Sequence, residues 1–266
     1  SKDYENLKVL LRPNHADYPA AIKFKGFNDI RGGGHFSGRI TLALTFAGAV
    51  AMDILEEKGI RIFSHIKKIL DIKDKSFLEF KEVDVDKFKN LKESSLAFIE
   101  DDLETKTKEL LEKIKLSGNS VGGEIECACY NLPVGLGSPF FDSLESKISH
   151  LAFSVPAVKG IQFGIGFDFS NILGSEANDL YYLEDDKIKT KTNNNGGILG
   201  GLSTGMPLVF SVVIKPTPSI SIEQETVNIK EMKNDILKIS GRHDACIVPR
   251  VMPVIEAITA VSYTHL

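Results

Sequence analysis

A disulfide framework is excluded for this chain, because it has only three cysteines among 266 residues, and that number is odd. Cys127, Cys129 and Cys246 instead favour a reducing compartment, and we expect a cytoplasmic protein. Cys127 and Cys129 could supply half of a metal site, but no second pair of Cys or His has matching spacing. We therefore predict no metal, and we interpret both residues as small buried hydrophobes.

Long apolar runs and an excess of positive charge are also missing. The most apolar run, residues 42–55, is interrupted by Thr45 and Asp53 and is shorter than the roughly 18 to 20 residues that span a bilayer. The first five residues do not resemble a signal peptide. With 36 acidic and 32 basic residues the net charge is −4, which argues against a nucleic-acid partner held by bulk charge. We predict no membrane or nucleic-acid partner, and any anion site must use local arginines.

What is present suggests one mixed domain over residues 1–266, since 42% hydrophobic residues can bury a large core. Residues 39–56 are apolar except for a narrow polar stripe, which predicts a helix buried on most sides. Residues 71–117 are rich in Lys and Glu and predict surface helices, one of them amphipathic from 100 to 116. Strands are predicted at 123–130, 160–167 and 208–214, with a helix near 141–153.

Charge is densest in residues 242–250, which read RHDACIVPR. Residues 12–17 read RPNHAD, and residues 31–39 read RGGGHFSGR. The glycine-rich loop of the last segment is expected to deliver Ser37 and Arg39 to the N-terminus of the predicted helix, where free backbone N–H groups favour an anion. Charge of this density is typical of a binding or catalytic site.

A second glycine-rich segment, residues 196–205, reads GGILGGLSTG. Its glycines allow a backbone to approach a ligand closely, but their spacing fits neither the dinucleotide fingerprint nor the phosphate loop. A plain structural turn is the alternative interpretation. Lys215 ends the predicted strand before a Pro-x-Pro turn, where its ammonium group is well placed to meet a phosphate.

Taken in their order along the chain, these segments resemble the signature segments of chorismate synthase. Further matches at residues 133–137, 164–167 and 174–179 extend the resemblance over nearly the whole chain except 71–117. The resemblance implies an α+β fold, a β-α-β sandwich in which the helix at 39–56 lies between sheets. It also implies a homotetramer.

The resemblance implies a lyase of the shikimate pathway, which makes precursors of the aromatic amino acids. Such an enzyme removes phosphate from 5-enolpyruvylshikimate 3-phosphate in a 1,4-anti elimination and gives chorismate. The cofactor implied is reduced FMN, which lends electron density as phosphate leaves and recovers it as the hydrogen departs. NADPH is implied only for bifunctional members, which reduce the flavin themselves.

Site residues are carried over one at a time. His15 matches a proton donor beside the flavin, and Asp244 matches an aspartate that relays the proton of flavin N5. Ser37, Arg39 and Arg242 match substrate ligands. Flavin-binding positions match His35, Phe36, Ser37, Pro156, Ala157, Gly200, Lys215, Pro216, Thr217, Pro218, Ser219 and Arg242.

Alternatives remain for several of these residues. His15 could be a capping or core histidine, and Asp244 with Arg242 could form a surface ion pair. His35 and Phe36 stand where many members have Arg and Ser, so we expect only their backbone contacts to the flavin to be retained. The remaining histidines, His65, His150, His243 and His265, receive no catalytic role.

One family feature is missing from the sequence. Family members begin with a segment that carries a Gly-Glu-Ser-His-Gly motif, and the last residues, 262–266, do not fit the family. We therefore expect an incomplete domain, which leaves two other functions open. The chain could be a catalytically inactive module that binds flavin or another anion, or a structural domain whose glycine loops are turns.

Overall fold

The computed structural model describes residues 9–29, 31–82, 85–239 and 244–263. The helices in these ranges are α1 (Asp17–Lys23), α2 (Leu42–Glu57), α3 (Val85–Glu93), α4 (Leu103–Leu116), α5 (Leu144–Ser154), α6 (Gly174–Ala177) and α7 (Val248–Tyr263). The strands are β1 (Arg61–Ile69), β2 (Ile72–Lys73), β3 (Gly123–Tyr130), β4 (Val158–Phe163), β5 (Tyr181–Glu184), β6 (Lys187–Thr190), β7 (Ile198–Leu199), β8 (Leu202–Ser203), β9 (Leu208–Ile214), β10 (Gln224–Asn228) and β11 (Lys233–Leu237).

An antiparallel sheet of five strands, in the order β2-β1-β3-β9-β4, forms the centre of the fold. The apolar strand β9 is buried at six of its seven positions, and its register with β3 sets Phe210 opposite Cys127. Both strands have the predicted bounds. The prediction of a strand at 160–167 was wrong at both ends, because β4 begins at Val158 and stops at Phe163. The strand stops there because the next residue, Gly164, takes a φ of 57° and leaves the extended region.

Helix α7 lies against this sheet and is the most deeply buried helix of the described residues. It contacts β1, β3 and α5 on one side and α2 on the other. Helix α2 meets it at Gly48, where a side chain would collide with Ala257. The packing order is therefore sheet, α7, α2, an α+β arrangement in agreement with the predicted fold class.

The prediction that the helix at 39–56 is buried on most sides was wrong for this chain. Only Gly48, Ala51 and Leu55 of α2 are buried, whereas the side chains of Leu42 and Phe46 are 77% and 74% exposed. The reason is that α7 covers one face of α2, and no described element packs on the opposite face to the same extent. With its preceding turn, this helix (Gly38–Glu57) is long and apolar enough to cross a membrane, although core helices of soluble proteins pass the same test.

The charged region at 71–117 forms α3 and α4 on the outside of the sheet, and α4 confirms the predicted amphipathic helix. Beneath these helices lies a buried polar cluster. The His65 ring joins Asp74 through Nδ1 at 2.8 Å and Glu126 through Nε2 at 3.0 Å. Burial alone would lower the pKa of His65, but the hydrogen bonds to the two carboxylates raise it.

Candidate active site

A cavity of about 960 Å³ opens where several chain segments end close together. Its walls are the segment before α1, the glycine-rich turn before α2, the end of α5, the residues after β9, and the first turns of α7. The volume lies near the upper limit of the roughly 300 to 1,000 Å³ typical of small-molecule sites.

Almost all predicted site residues that the structure describes line this one cavity. They are His15, His35, Phe36, Ser37, Arg39, Pro156, Ala157, Lys215, Pro216, Thr217, Pro218, Ser219 and Asp244. Arg242 lies outside the described residues. Gly200 does not line the cavity. It lies in the turn between β7 and β8 and takes a φ of 60°. Its flavin-binding role therefore stays a prediction.

The segment before α1 is held by one carboxylate. Asp17 accepts hydrogen bonds from Arg12 Nε at 2.8 Å and from Arg12 Nη2 at 2.7 Å, and its Oδ1 lies 2.6 Å from His15 Nδ1. Burial would raise the pKa of Asp17, but the hydrogen bonds from Arg12 and His15 outweigh it and hold that pKa well below its usual range. His15 is thus held by a specific partner at the wall of the cavity.

The turn before α2 differs in detail from the prediction. The glycine-rich segment forms a 3₁₀ helix, Arg31–Phe36, and a second 3₁₀ turn, Gly38–Thr41, precedes the α-helix. Ser37 caps this second turn by accepting a hydrogen bond from the backbone N–H of Arg39 at 3.3 Å. The exposed guanidinium of Arg39 therefore starts from a capped turn at the cavity wall.

Lys215 connects two walls of the cavity. Its Nζ donates to the backbone oxygen of Asn14 at 2.6 Å, and its backbone N–H donates to the oxygen of Ala157 at 2.9 Å. Partial burial, with a smaller contribution from Lys159, lowers the pKa of Lys215. A partly dehydrated ammonium group of this kind is suited to an anionic ligand.

Asp244 also lines the cavity, and two contacts hold it there. Its backbone oxygen accepts a hydrogen bond from Thr217 Oγ1 at 2.9 Å, and its carboxylate accepts one from Arg250 Nη1 at 2.8 Å. Asp244 thus forms an ion pair with Arg250, whereas the alternative pair with Arg242 lies outside the described residues. The pair of Asp244 with Arg250 lies at the cavity wall, so it is compatible with a role in the site.

The charged lining of the cavity has an excess of cations. Arg12, Arg39, Lys215 and Arg250 line it, and Asp244 is the single carboxylate among the described lining residues. Arg12 is paired with Asp17 and Arg250 with Asp244, so Arg39 and Lys215 are the lining cations with no carboxylate partner among the described residues. Such a lining favours a ligand with several negative charges. Sequence reasoning gave Arg12 and Arg250 no role, although both lie inside the charged motifs that it singled out.

Comparisons with known proteins give a consistent result. The family model described as chorismate synthase matches residues 1–265. The chain is 45% identical to the chorismate synthase of Pyrococcus abyssi over 98% of its own length and 71% of that protein. It is 43% identical to that of Dehalococcoides mccartyi strain ATCC BAA-2266 over 100% of its length and 72% of the relative. A crystal structure of chorismate synthase matches with a TM-score of 0.76 at 27% identity, over 92% of this chain and 68% of that one.

Proposed function

The chain belongs to the chorismate synthase family, and on that premise we propose that its cavity carries out the phosphate elimination that converts 5-enolpyruvylshikimate 3-phosphate to chorismate. The observation that carries the proposal is the convergence of five separate segments on one cavity, where Arg39 and Lys215 have no carboxylate partner among the described residues. A substrate with one phosphate and two carboxylates matches this excess of positive charge.

Reduced FMN is the proposed cofactor, and the residues present fit it. Lys215 offers a cation for the flavin phosphate, and the Pro216–Pro218 turn offers a rigid wall with the hydroxyl of Thr217. Ala157, between α5 and β4, takes a φ of 76°, which turns the backbone sharply beside the cavity. When bound, the reduced flavin supplies the electron density that lets phosphate leave.

The residues of the chain have separate proposed roles. Arg39, with Ser37 beside it, binds an anionic group of the substrate, because the guanidinium fork fits both carboxylate and phosphate. His15 exchanges a proton with the flavin region, and Asp244 accepts the proton that leaves during the elimination. Arg12 holds the carboxylate of Asp17 in place, and Arg250 holds that of Asp244.

We extend the proposal to the setting of the enzyme. The chain forms a single chorismate synthase-like domain over 1–266, and this domain assembles as a homotetramer, as the family membership implies. The buried Cys127 and Cys129 form no disulfide, which favours the cytoplasm. NADPH enters only if the protein reduces its own flavin.

The direct test is an anaerobic assay with chemically reduced FMN and the shikimate substrate, in which released phosphate and the absorbance of chorismate are followed together. Equal formation of both products would support the proposal. Flavin binding without either product would favour the inactive flavin-binding module instead. Loss of flavin affinity in Lys215→Ala, but not in Lys113→Ala, would locate the cofactor, because Lys113 is exposed on α4 and is not part of the described lining.

A second test concerns Asp244. The variant Asp244→Asn keeps the shape of the side chain but removes the base, so turnover should fall by roughly 10²- to 10⁴-fold while flavin and substrate affinities change little. Asp142→Asn is the control, because the Asp142 side chain is 72% exposed and lies away from the cavity. Parental turnover with a collapse of flavin affinity would make Asp244 a binding residue and not a base.

A further inference from the structure

Asp17 is a buried carboxylate beside the proposed site that has no role in the mechanism given so far. It lies in the first turn of α1, and its side chain is 10% exposed. Four groups approach its two oxygens. Oδ2 accepts from the backbone N–H and Nε of Arg12, at 3.0 and 2.8 Å, while Oδ1 faces Arg12 Nη2 and His15 Nδ1, at 2.7 and 2.6 Å.

These contacts decide how the imidazole of His15 is protonated. A carboxylate paired with an arginine fork is ionised, and an ionised carboxylate can only accept hydrogen bonds. The hydrogen between Asp17 and His15 therefore belongs to Nδ1 of the ring. The other nitrogen, Nε2, faces the glycine-rich turn, since a Cβ built on Gly33 would lie 3.6 Å from it. Gly33 and His15 both line the cavity.

We propose that Asp17 is a positioning residue that fixes His15 as the Nδ1–H tautomer, so that Nε2 is the atom that exchanges a proton with the cavity. This inference rests on the proposed function for its significance, but its geometry is independent of turnover. The Nδ1–H group of His15 keeps its hydrogen and donates it to Asp17, whether the ring is neutral or protonated. A proton can therefore enter or leave His15 only through Nε2.

The amide of an asparagine cannot replace this carboxylate. In Asp17→Asn the side chain would have one acceptor oxygen for four donors. Its NH₂ group, itself a donor, must therefore face two of these donors. Placing the oxygen at the Oδ2 position satisfies both Arg12 donors there. The NH₂ group then faces Arg12 Nη2 and His15, and the second conflict disappears if the ring shifts to the Nε2–H tautomer. We therefore expect Asp17→Asn to reverse the tautomer.

The experiment is long-range ¹H–¹⁵N NMR of the histidine rings, at a pH high enough for the His15 ring to be neutral. The signals of His15 are assigned by their loss in His15→Gln. The unaltered chain should show the Nδ1–H pattern, Asp17→Asn the Nε2–H pattern, and Asp17→Glu the unaltered pattern, because a glutamate also only accepts. Asp101→Asn is the matched control at an exposed site.

The outcomes separate this inference from the proposed function. An Nε2–H pattern in the unaltered chain overturns the inference even if Asp17→Asn fails to fold, and so does an Nδ1–H pattern retained in Asp17→Asn. If the tautomer reverses and turnover falls by roughly 10²- to 10⁴-fold, both hold. If the tautomer reverses and turnover is unchanged, Asp17 still positions His15, and the proton-exchange role proposed for His15 is wrong.

Discussion

The contact between α2 and α7 at Gly48 can be tested by one methyl group. A Cβ added to Gly48 would lie 2.2 Å from Ala257 Cβ and 2.4 Å from Ala257 Cα. Carbon atoms in ordinary contact are roughly 3.5 to 4.0 Å apart, so the two helices would have to separate by more than about 1 Å. The glycine is thus the reason that α2 can lie so close to the buried helix.

The change Gly48→Ala has two opposing effects on the free energy of unfolding. Overpacking of this kind costs typically about 1 to 3 kcal/mol, and a clash with the backbone of α7 belongs at the upper end of that range. Alanine returns about 1 kcal/mol through its better helix propensity. We expect a net loss of about 2 kcal/mol, measured by urea unfolding of the purified chain.

Two further variants make this prediction specific. Gly160→Ala in β4 is the control, because a Cβ there would meet Val213 at 3.9 Å, an ordinary contact, and should stabilise by about 0.4 to 1 kcal/mol. Ala257→Gly should not rescue Gly48→Ala, because the collision with the Ala257 Cα remains. An unchanged or raised urea midpoint for Gly48→Ala would refute the described packing of α2 on α7, and rescue by Ala257→Gly would refute the backbone clash.

The remaining predictions concern charge and exposure. The pKa of Glu126 is lowered from 4.5 to about 2, so its stabilising contribution should be complete above pH 4.5 and lost as the pH falls towards 2. In urea titrations, Glu126→Gln should flatten this dependence of the free energy of unfolding on pH. The raised pKa of His65 has the opposite sign, so its contribution is present below 6.5 and is lost as the pH rises through the folded value. Phe46→Gln should change the free energy of unfolding by no more than about 0.5 kcal/mol and reduce binding of a hydrophobic dye, whereas Leu55→Ala at a buried position should cost about 2 to 5 kcal/mol. Arg39→Ala should weaken substrate binding more than flavin binding in calorimetry, with incomplete rescue by Arg39→Lys, because a point charge does not replace the fork.

Local periodicity predicted the elements whose pattern is decided within a few turns. The apolar run at β9 and the single apolar stripe of α4 give these elements the bounds, or nearly the bounds, that their residues suggest. The failure at α2 has a different cause. Apolar residues on several faces show how much of its surface a helix could bury. The rest of the fold decides how many elements pack against that surface. In this chain α7 covers one face of α2 and takes the most buried position itself.

The candidate site shows the same division between motif and contact. The motifs could be found in the sequence because each is contiguous and lies at the end of an element, where loops converge on one side of the sheet. The hydrogen-bond and ion-pair partners within these motifs could not be found in the same way. Nothing in the spacing of residues 12–17 shows that Asp17 holds both Arg12 and His15. Nor does the spacing of residues 242–250 show that Arg250 pairs with Asp244. Glycine spacing likewise gives Gly200 its turn without bringing it to the cavity.

Long-range packing therefore decides whether the motifs form one site. Arg39 belongs to the turn that starts α2, whereas Asp244 precedes the first turn of α7 and is held by Arg250 within it. The distance between these two walls depends on how closely the two helices approach, and that approach is set at Gly48, further along α2 from Arg39. A displacement of about 1 Å in a catalytic constellation can cost roughly 10²-fold in rate. Gly48→Ala, which touches no ligand, is thus expected to lower turnover by up to roughly 10²-fold, the lower end of the loss expected for Asp244→Asn.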